Sequence, residues 1–242
     1  MPLSPSRSSS GKTPSQRKAA HAAPKLLPDV ILPPAPYKAG KHSEPIIAIG
    51  SSTGGTDALR IVLSALPADT PGIVVVQHMP PIFTARFAQR LDSLCAMRVK
   101  EAADGDRVRH GEVLIAIGGS HLVVRADGSG YFVNVVAGPP VTRHCPSVDV
   151  LFRSVAQAVG MYATAVILTG MGDDGALGMS EIKQAGGYTI AQNEETCVVY
   201  GMPKEAVRRG AIDDILPLEA IAAAITKRFA APQLLVRPRG VS

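Results

Sequence analysis

The segment Ile46-Ile47-Ala48-Ile49-Gly50-Ser51-Ser52-Thr53-Gly54-Gly55 decides how the chain is read. Four apolar residues, three of them β-branched, run into a turn built only of Gly, Ser and Thr, and an amphipathic stretch follows from Thr56 to Leu66. That order is strand, tight loop, helix. A helix entered through so short a loop leaves its first N–H groups unpaired and aimed at the loop, where an anion or a developing oxyanion is stabilised. Ser52 stands in the middle of that loop.

The same unit recurs on both sides. Gly72 to Gln77 and Thr164 to Thr169 are apolar on both faces, as strands of a helix-covered parallel sheet are. Phe83 to Leu94 carries apolar residues at helical spacing, and Met97 to Lys100 reads as the next short strand. Val113 to Ile117, His121 to Arg125 and Tyr131 to Val136 follow one another with no helix between, and Asp127-Gly128-Ser129-Gly130 turns the last two into a hairpin. Ser147 is placed to cap a helix over Val148 to Val159. A helix over Ala176 to Ala185, a strand over Tyr188 to Ala191 and helices over Lys204 to Arg209 and Leu218 to Phe229 complete the pattern, the last two opened by Pro203 and Pro217. The expected fold is α/β: a doubly wound, mainly parallel sheet flanked by helices, with an inserted antiparallel hairpin over residues 113–136.

Residues 1–44 differ from the rest in composition, with prolines throughout and many Ser, Lys and Ala residues, so a disordered arm or linker is expected there. A folded domain is expected over 45–229 and a frayed tail over 230–242. The formal charge of +5 belongs to the arm, whose 44 residues hold seven basic and two acidic side chains, while the remainder is neutral. A nucleic-acid-binding body is therefore not indicated. No apolar run approaches the roughly 20 residues that span a bilayer, and no signal sequence opens the chain, so a cytoplasmic protein without membrane insertion is expected. Cys95, Cys145 and Cys197 form no CxxC pair, which suggests neither a disulfide framework nor a thiolate zinc site.

Parallel α/β sheets carry their sites beyond the carboxyl ends of the strands. Three such ends supply Ser52, His78 and the loop Gly170-Met171-Gly172-Asp173-Asp174-Gly175. A serine hydroxyl becomes a useful nucleophile when a base of near-neutral pKa takes its proton, and a carboxylate on the far side of that base fixes its tautomer. Those are the parts of a triad. Glycines at 170, 172 and 175 would let backbone approach a substrate, with Met171 N–H turned toward an oxyanion. Taken one at a time the residues read more plainly: Ser52 as a helix cap, His78 as a strand-end hydrogen bonder, Asp173 and Asp174 as solvated acids. Their joint occurrence at three strand ends is what favours chemistry.

Rival sites fail on particular residues. Thr56-Asp57 stands where a P-loop needs Lys-Ser/Thr, and Gln77-His78 stands where a dinucleotide fold places its ribose-binding acid. His78, His121, His144 and Asp173 have no metal-ligand spacing. Neither cofactor nor metal is expected.

The stretches IGSSTGGTDAL, VVQHMPPIFTARFAQRL, RHCPSVDVLFRSVA, ILTGMGDDGALGM and AQNEETCVVYGMPKEAV together resemble the catalytic domain of the CheB-type protein-glutamate methylesterases of bacterial chemotaxis. The resemblance spans Pro45 to Phe229. It implies a serine hydrolase that demethylates glutamate γ-methyl esters on methyl-accepting chemoreceptors and also deamidates receptor glutamines. It assigns Ser52 as nucleophile, His78 as base and Asp174, in preference to Asp173, as the orienting acid. Met171, Thr53 and Gly170 are then expected around the oxyanion, and Arg143 against acids of the substrate. Such a chain is expected to be monomeric, with the proline-rich arm dispensable for chemistry. A catalytically inactive receptor-binding or scaffold module that keeps the fold is the competing expectation.

Overall fold

The structure, a computed structural model, describes residues 25–37 and 42–230. Strand β1 (Ile46–Ser51) is buried along its whole length. Ile46 and Ala48 face one apolar cluster, and Ile47 and Ile49 face the other. β2 (Ile73–Gln77) repeats the alternation, with Val74 and Val76 on the first side and Ile73 and Val75 on the second. Strands of this composition are stable only between two layers of helix.

Those strands join β3 (Arg98–Glu101), β4 (Glu112–Ile115), β7 (Ala163–Ile167), β8 (Tyr188–Gln192) and β9 (Asp214–Leu216) in a seven-stranded sheet ordered β3-β4-β2-β1-β7-β8-β9. Every pairing in it is parallel. Helices α1 (Gly55–Ser64), α2 (Pro81–Asp92) and α6 (Leu218–Ala230) supply the apolar stripe on one face. α3 (Val148–Ala158), α4 (Ala176–Gln184) and α5 (Met202–Arg208) cover the other. The chain leaves β1 toward β2 and later returns to its other side as β7, so the winding reverses between β1 and β7. Such a reversal opens a crevice at the carboxyl ends of the strands.

The inserted hairpin is shorter than expected. β5 (His121–Asp127) and β6 (Gly130–Val136) form a separate two-stranded antiparallel sheet, but the 113–117 run lies in β4, inside the main parallel sheet. Val113, Leu114 and Ile115 are all buried, which suits a central strand, and a short apolar run does not itself tell a sheet member from an insertion. The short edge strand β9 has the burial of a half-exposed edge and no alternation to announce it.

The arm also departs from expectation where it is described. Pro28–Val30 forms one 3₁₀ turn. Leu32 is 5% exposed and completes a small cluster with Val123, Val141 and Val150. The guanidinium of Arg153 on α3 donates to Asp29 and to the Leu32 carbonyl as well as to Glu181. Residues 25–37 are therefore a strap packed on the domain, because Leu32, the partly buried Ile31 beside it and one buried cation give prolines enough to hold. Residues 1–24 and 38–41 of the expected arm, and all but the first residue of the expected frayed tail, lie outside the described residues.

Candidate active site

Asp174 follows β7 and is fully buried. A carboxylate so placed costs many kcal/mol unless it is thoroughly hydrogen-bonded. Its Oδ1 accepts the Ser147 hydroxyl at 2.8 Å and the Asp149 N–H at 3.0 Å, and its Oδ2 accepts the Val148 N–H at 2.8 Å. Those N–H groups are the unpaired donors of the first turn of α3, so the helix N-terminus is spent on holding this anion. The remaining position on Oδ2 is taken by His78 Nε2 at 2.7 Å. Oδ2 is an acceptor, so Nε2 carries the proton and the lone pair falls on Nδ1. His78 Nδ1 is buried and has no partner among the described residues.

His78 sits at the end of β2, beside the end of β1. Ser51 pairs with Gln77 in the parallel register, and the His78 N–H donates to the Ser51 carbonyl at 3.0 Å. Ser52 is the next residue on β1's side. Its N–H donates to the Thr169 carbonyl at 3.0 Å, and its carbonyl accepts Gln77 Nε2 at 2.9 Å and Gly55 N–H at 2.8 Å. The backbone of the loop is thus fixed from three sides. The Ser52 hydroxyl makes no hydrogen bond to a described residue, and α1 is instead capped by the left-handed Gly54, φ 79°, without a side-chain cap. Ser52 is not serving as a helix cap.

The structure places the three strand-end residues at one edge, and the two neighbouring acids have different partners. Asp173 points elsewhere and pairs with Lys25 of the strap. His121 is a satisfied core histidine, with Nε2 donating to the Pro139 carbonyl at 3.0 Å and Nδ1 accepting Ser147 N–H at 3.2 Å. Burial pushes its pKa down. Cys145 is no rival nucleophile, because burial pushes its thiol up, against thiolate formation. Donor atoms of His78, His144 and Asp174 lie within 4.8 Å of one another. The two rings, however, stack in parallel, so their in-plane lone pairs run side by side instead of meeting at a tetrahedral centre.

A protein-family model described as CheB methylesterase matches residues 47–225. The chain belongs to the CheB methylesterase family. A relative from Xanthomonas campestris named protein-glutamate methylesterase/protein-glutamine glutaminase 2 is 59% identical over 202 residues, 83% of this chain and 57% of that protein. A Geobacter metallireducens protein with the same name and the number 3 is 55% identical over 207 residues, 85% of this chain and 58% of its own length. The chain thus spans 57% and 58% of these two curated relatives. The crystal structure of the Thermotoga maritima CheB methylesterase catalytic domain matches with a TM-score of 0.75 at 42% identity, covering 77% of this chain and 99% of that one.

Around this CheB-type site the supporting groups fall unequally. Gly170 N–H is already donated to the Val199 carbonyl at 3.0 Å, so it has none left for an oxyanion. Its contribution is closeness: a Cβ there would lie 2.8 Å from Ser52 Cβ. Met171 N–H and Thr53 N–H have no hydrogen-bond partner among the described residues and remain free to donate. Arg143 is exposed and makes no ion pair with a described residue. It lines a shallow cavity of about 280 Å³ with His78, Met79, Pro81, His144 and Pro146. A larger cavity of about 630 Å³ under the strap, lined by Pro34, Tyr37, Gln157 and Glu181, holds no comparable set of groups.

Three supports escaped the sequence reading. Gln77, which ties both strand ends together, reads there only as the last residue of a strand. Ser147, read only as a cap, also binds Asp174. His144 stacks on His78 with ring centres 3.7 Å apart, whereas in the sequence it is weighed only as a metal ligand without the spacing for one.

Proposed function

We propose that this chain is a serine hydrolase that removes methyl groups from glutamate γ-methyl esters of chemoreceptors and deamidates receptor glutamines. The observation that carries this reading is the Asp174–His78 bond of 2.7 Å, set on the N-terminus of α3, with His78 Nδ1 left unpaired at the strand end next to Ser52. Ser52 attacks the ester carbonyl while its proton passes to Nδ1, and Asp174 holds the resulting imidazolium through Nε2–H. Met171 N–H and Thr53 N–H receive the oxyanion. The bond to the methoxy oxygen breaks as Nδ1–H returns its proton, releasing methanol, or ammonia from a glutamine. Water, deprotonated by the same nitrogen, then attacks the acyl-serine and frees the glutamate carboxylate and the serine hydroxyl.

The shallow, open cavity suits a side chain presented on a protein surface better than a free small molecule. Arg143 on its rim would meet acids flanking the ester. No helix among the described residues is long and apolar enough to cross a membrane, and the chain is read as a cytoplasmic monomer that meets receptors from solution. The deciding assay measures methanol release from methylated receptor by wild type and by Ser52→Ala. A loss on the order of 10⁴–10⁶ in kcat is expected. Comparable turnover by Ser52→Ala, or failure of a reactive-serine probe to label wild type, would instead favour a receptor-binding module without catalysis.

A further inference from the structure

Thr142 and Arg143 both have positive φ, 48° and 69°, and the flanking residues exchange two backbone bonds, Val141 N–H to His144 carbonyl at 2.9 Å and the reverse at 2.8 Å. This is a two-residue turn of the kind that favours Asn and Gly at its centre. A β-branched threonine there is strained by about 1–2 kcal/mol, so something must hold it. Every polar group of Thr142 is engaged. Its N–H donates to the Leu26 carbonyl of the strap at 2.9 Å, its hydroxyl donates to Asp149 Oδ2 at 3.1 Å, and its carbonyl accepts His144 Nδ1–H at 2.7 Å. The product of this turn is one fixed imidazole. His144 lies 3.7 Å from His78, ring centre to ring centre, with 5° between the planes.

We propose that His144 is a positioning residue for the catalytic base, covering one face of the His78 ring so that Nε2 stays on Asp174 and Nδ1 stays free. The proposal rests on the reading of His78 as the base and deepens it. An imidazole held by one hydrogen bond at Nε2 still pivots about that bond, and a flat neighbour on its face removes the pivot and the water that would accompany it. His78 retains only 8% of its side-chain exposure. Because His144 Nδ1 spends its proton on Thr142, it does not compete for Asp174 Oδ2, which lies 3.9 Å away. Burial, and the charge that His78 would carry next to it, push the His144 pKa down, with the nearby Arg143 acting in the same direction. Asp174 and the Thr142 carbonyl oppose that shift without reversing it. A neutral ring therefore faces His78 when His78 takes up the serine proton, and no like charge opposes the transfer.

The test compares His144→Ala, His144→Gln and His144→Phe in the full chain. Phenylalanine keeps a flat ring, glutamine keeps a polar group without one, and the half-exposed site tolerates all three. Two quantities are read: kcat and KM on methylated receptor, and the low-field proton NMR signal of His78 Nε2–H, which survives only while the bond to Asp174 is shielded from water. His144→Ala and His144→Gln are expected to lose about 10- to 100-fold in kcat with KM nearly unchanged, and to lose the signal. His144→Phe is expected to recover most of both. The proposal is overturned if His144→Ala keeps the signal, if its kcat stays within twofold of wild type, or if His144→Phe fails as His144→Ala does. A wild-type chain with no esterase turnover would overturn the functional reading alone, since the NMR signal still decides the positioning role.

Discussion

Gln77 Nε2 donates to the Ser52 carbonyl at 2.9 Å, so the last residue of one strand fixes the loop at the end of its neighbour. The same amide nitrogen reaches the His78 carbonyl at 3.0 Å, while Gln77 Oε1 accepts the Ser51 hydroxyl at 2.7 Å. One buried side chain thus holds the residues read as nucleophile and base in a common frame. Gln77→Leu removes three hydrogen bonds at once and leaves the buried Ser51 hydroxyl without its acceptor, for a stability loss of about 1–3 kcal/mol. On methylated receptor, kcat is expected to fall about 100-fold with KM little changed, because the loop is displaced while the outer surface is not. Kinetics that change in KM alone would show that Gln77 does not set the loop.

Gly170 is a second place where geometry near Ser52 leaves no room. An added Cβ would meet Met202 Sδ at 2.3 Å and Ser52 Cβ at 2.8 Å. Methionine yields easily, but Ser52 is held by its backbone, so the two clashes separate by experiment. Gly170→Ala is expected to cost about 1–3 kcal/mol of stability and most of the activity. Met202→Ala is itself expected to lower the melting temperature, because Met202 is fully buried, so the double variant is read as a cycle. Its melting temperature should fall by less than the sum of the two single losses while its turnover stays as low as that of Gly170→Ala, and recovery of turnover as well would place the conflict at Met202 alone.

The parts of this fold that can be read in one dimension are those fixed by local pattern. β1 and β2 declare themselves by apolar residues on both faces, and Ser147 by its place ahead of an amphipathic run. The strand ends then bring Ser52, His78 and Asp174 together by topology alone. What stays hidden depends on three-dimensional partners. β4 reads like part of the hairpin because burial by neighbours, not periodicity, puts it in the main sheet. His144 is silent until the Thr142–Arg143 turn folds it onto His78, and Leu32 is silent because a proline-rich context predicts no packing. The choice between Asp173 and Asp174 needed a family resemblance in sequence, and it becomes physical only with the α3 N-terminus in view.

Behind Asp174 sits a second carboxyl group whose titration makes a stability prediction. Burial, with the Asp174 charge beside it, pushes Asp149 up to about 7, against the opposing hydrogen bonds from Gly178 N–H and the Thr142 hydroxyl. Between its ordinary value of 3.8 and that raised value, the folded chain holds a proton that the unfolded chain has lost. Stability from this group is thus complete below about pH 4 and is lost as pH rises toward 7. Asp149→Asn removes the dependence. Its melting temperature relative to wild type is therefore expected to climb by about 5 °C between pH 5 and pH 8. A difference that stays flat across that range would mean that Asp149 is already ionised at pH 5.

The strap links the arm to the site, and its removal should be felt there. Leu32 packs against Val141, which begins the turn that carries His144, and the Leu26 carbonyl holds Thr142 at the turn's centre. Lys25 pairs with Asp173 in the loop that supplies Asp174 and Met171. Two of the loops around His78 are thereby braced by residues that composition alone marks as dispensable. Leu32→Ala removes a buried side chain from a four-residue cluster and is expected to cost about 2–3 kcal/mol, roughly 5–10 °C in melting temperature. Val30→Ala, at a position 51% exposed on the same strap, should cost almost nothing and serves as the control. A chain beginning at His42 loses the whole brace, including the Asp29 partner of Arg153. That chain is expected to fold, because Arg153 keeps Glu181 and both main clusters are untouched, yet to turn over methylated receptor severalfold more slowly at saturating substrate. Calorimetry and steady-state kinetics on the three variants separate the alternatives. If the shortened chain matches the full one in kcat while Leu32→Ala lowers only the melting temperature, the strap stabilises the fold without setting the site.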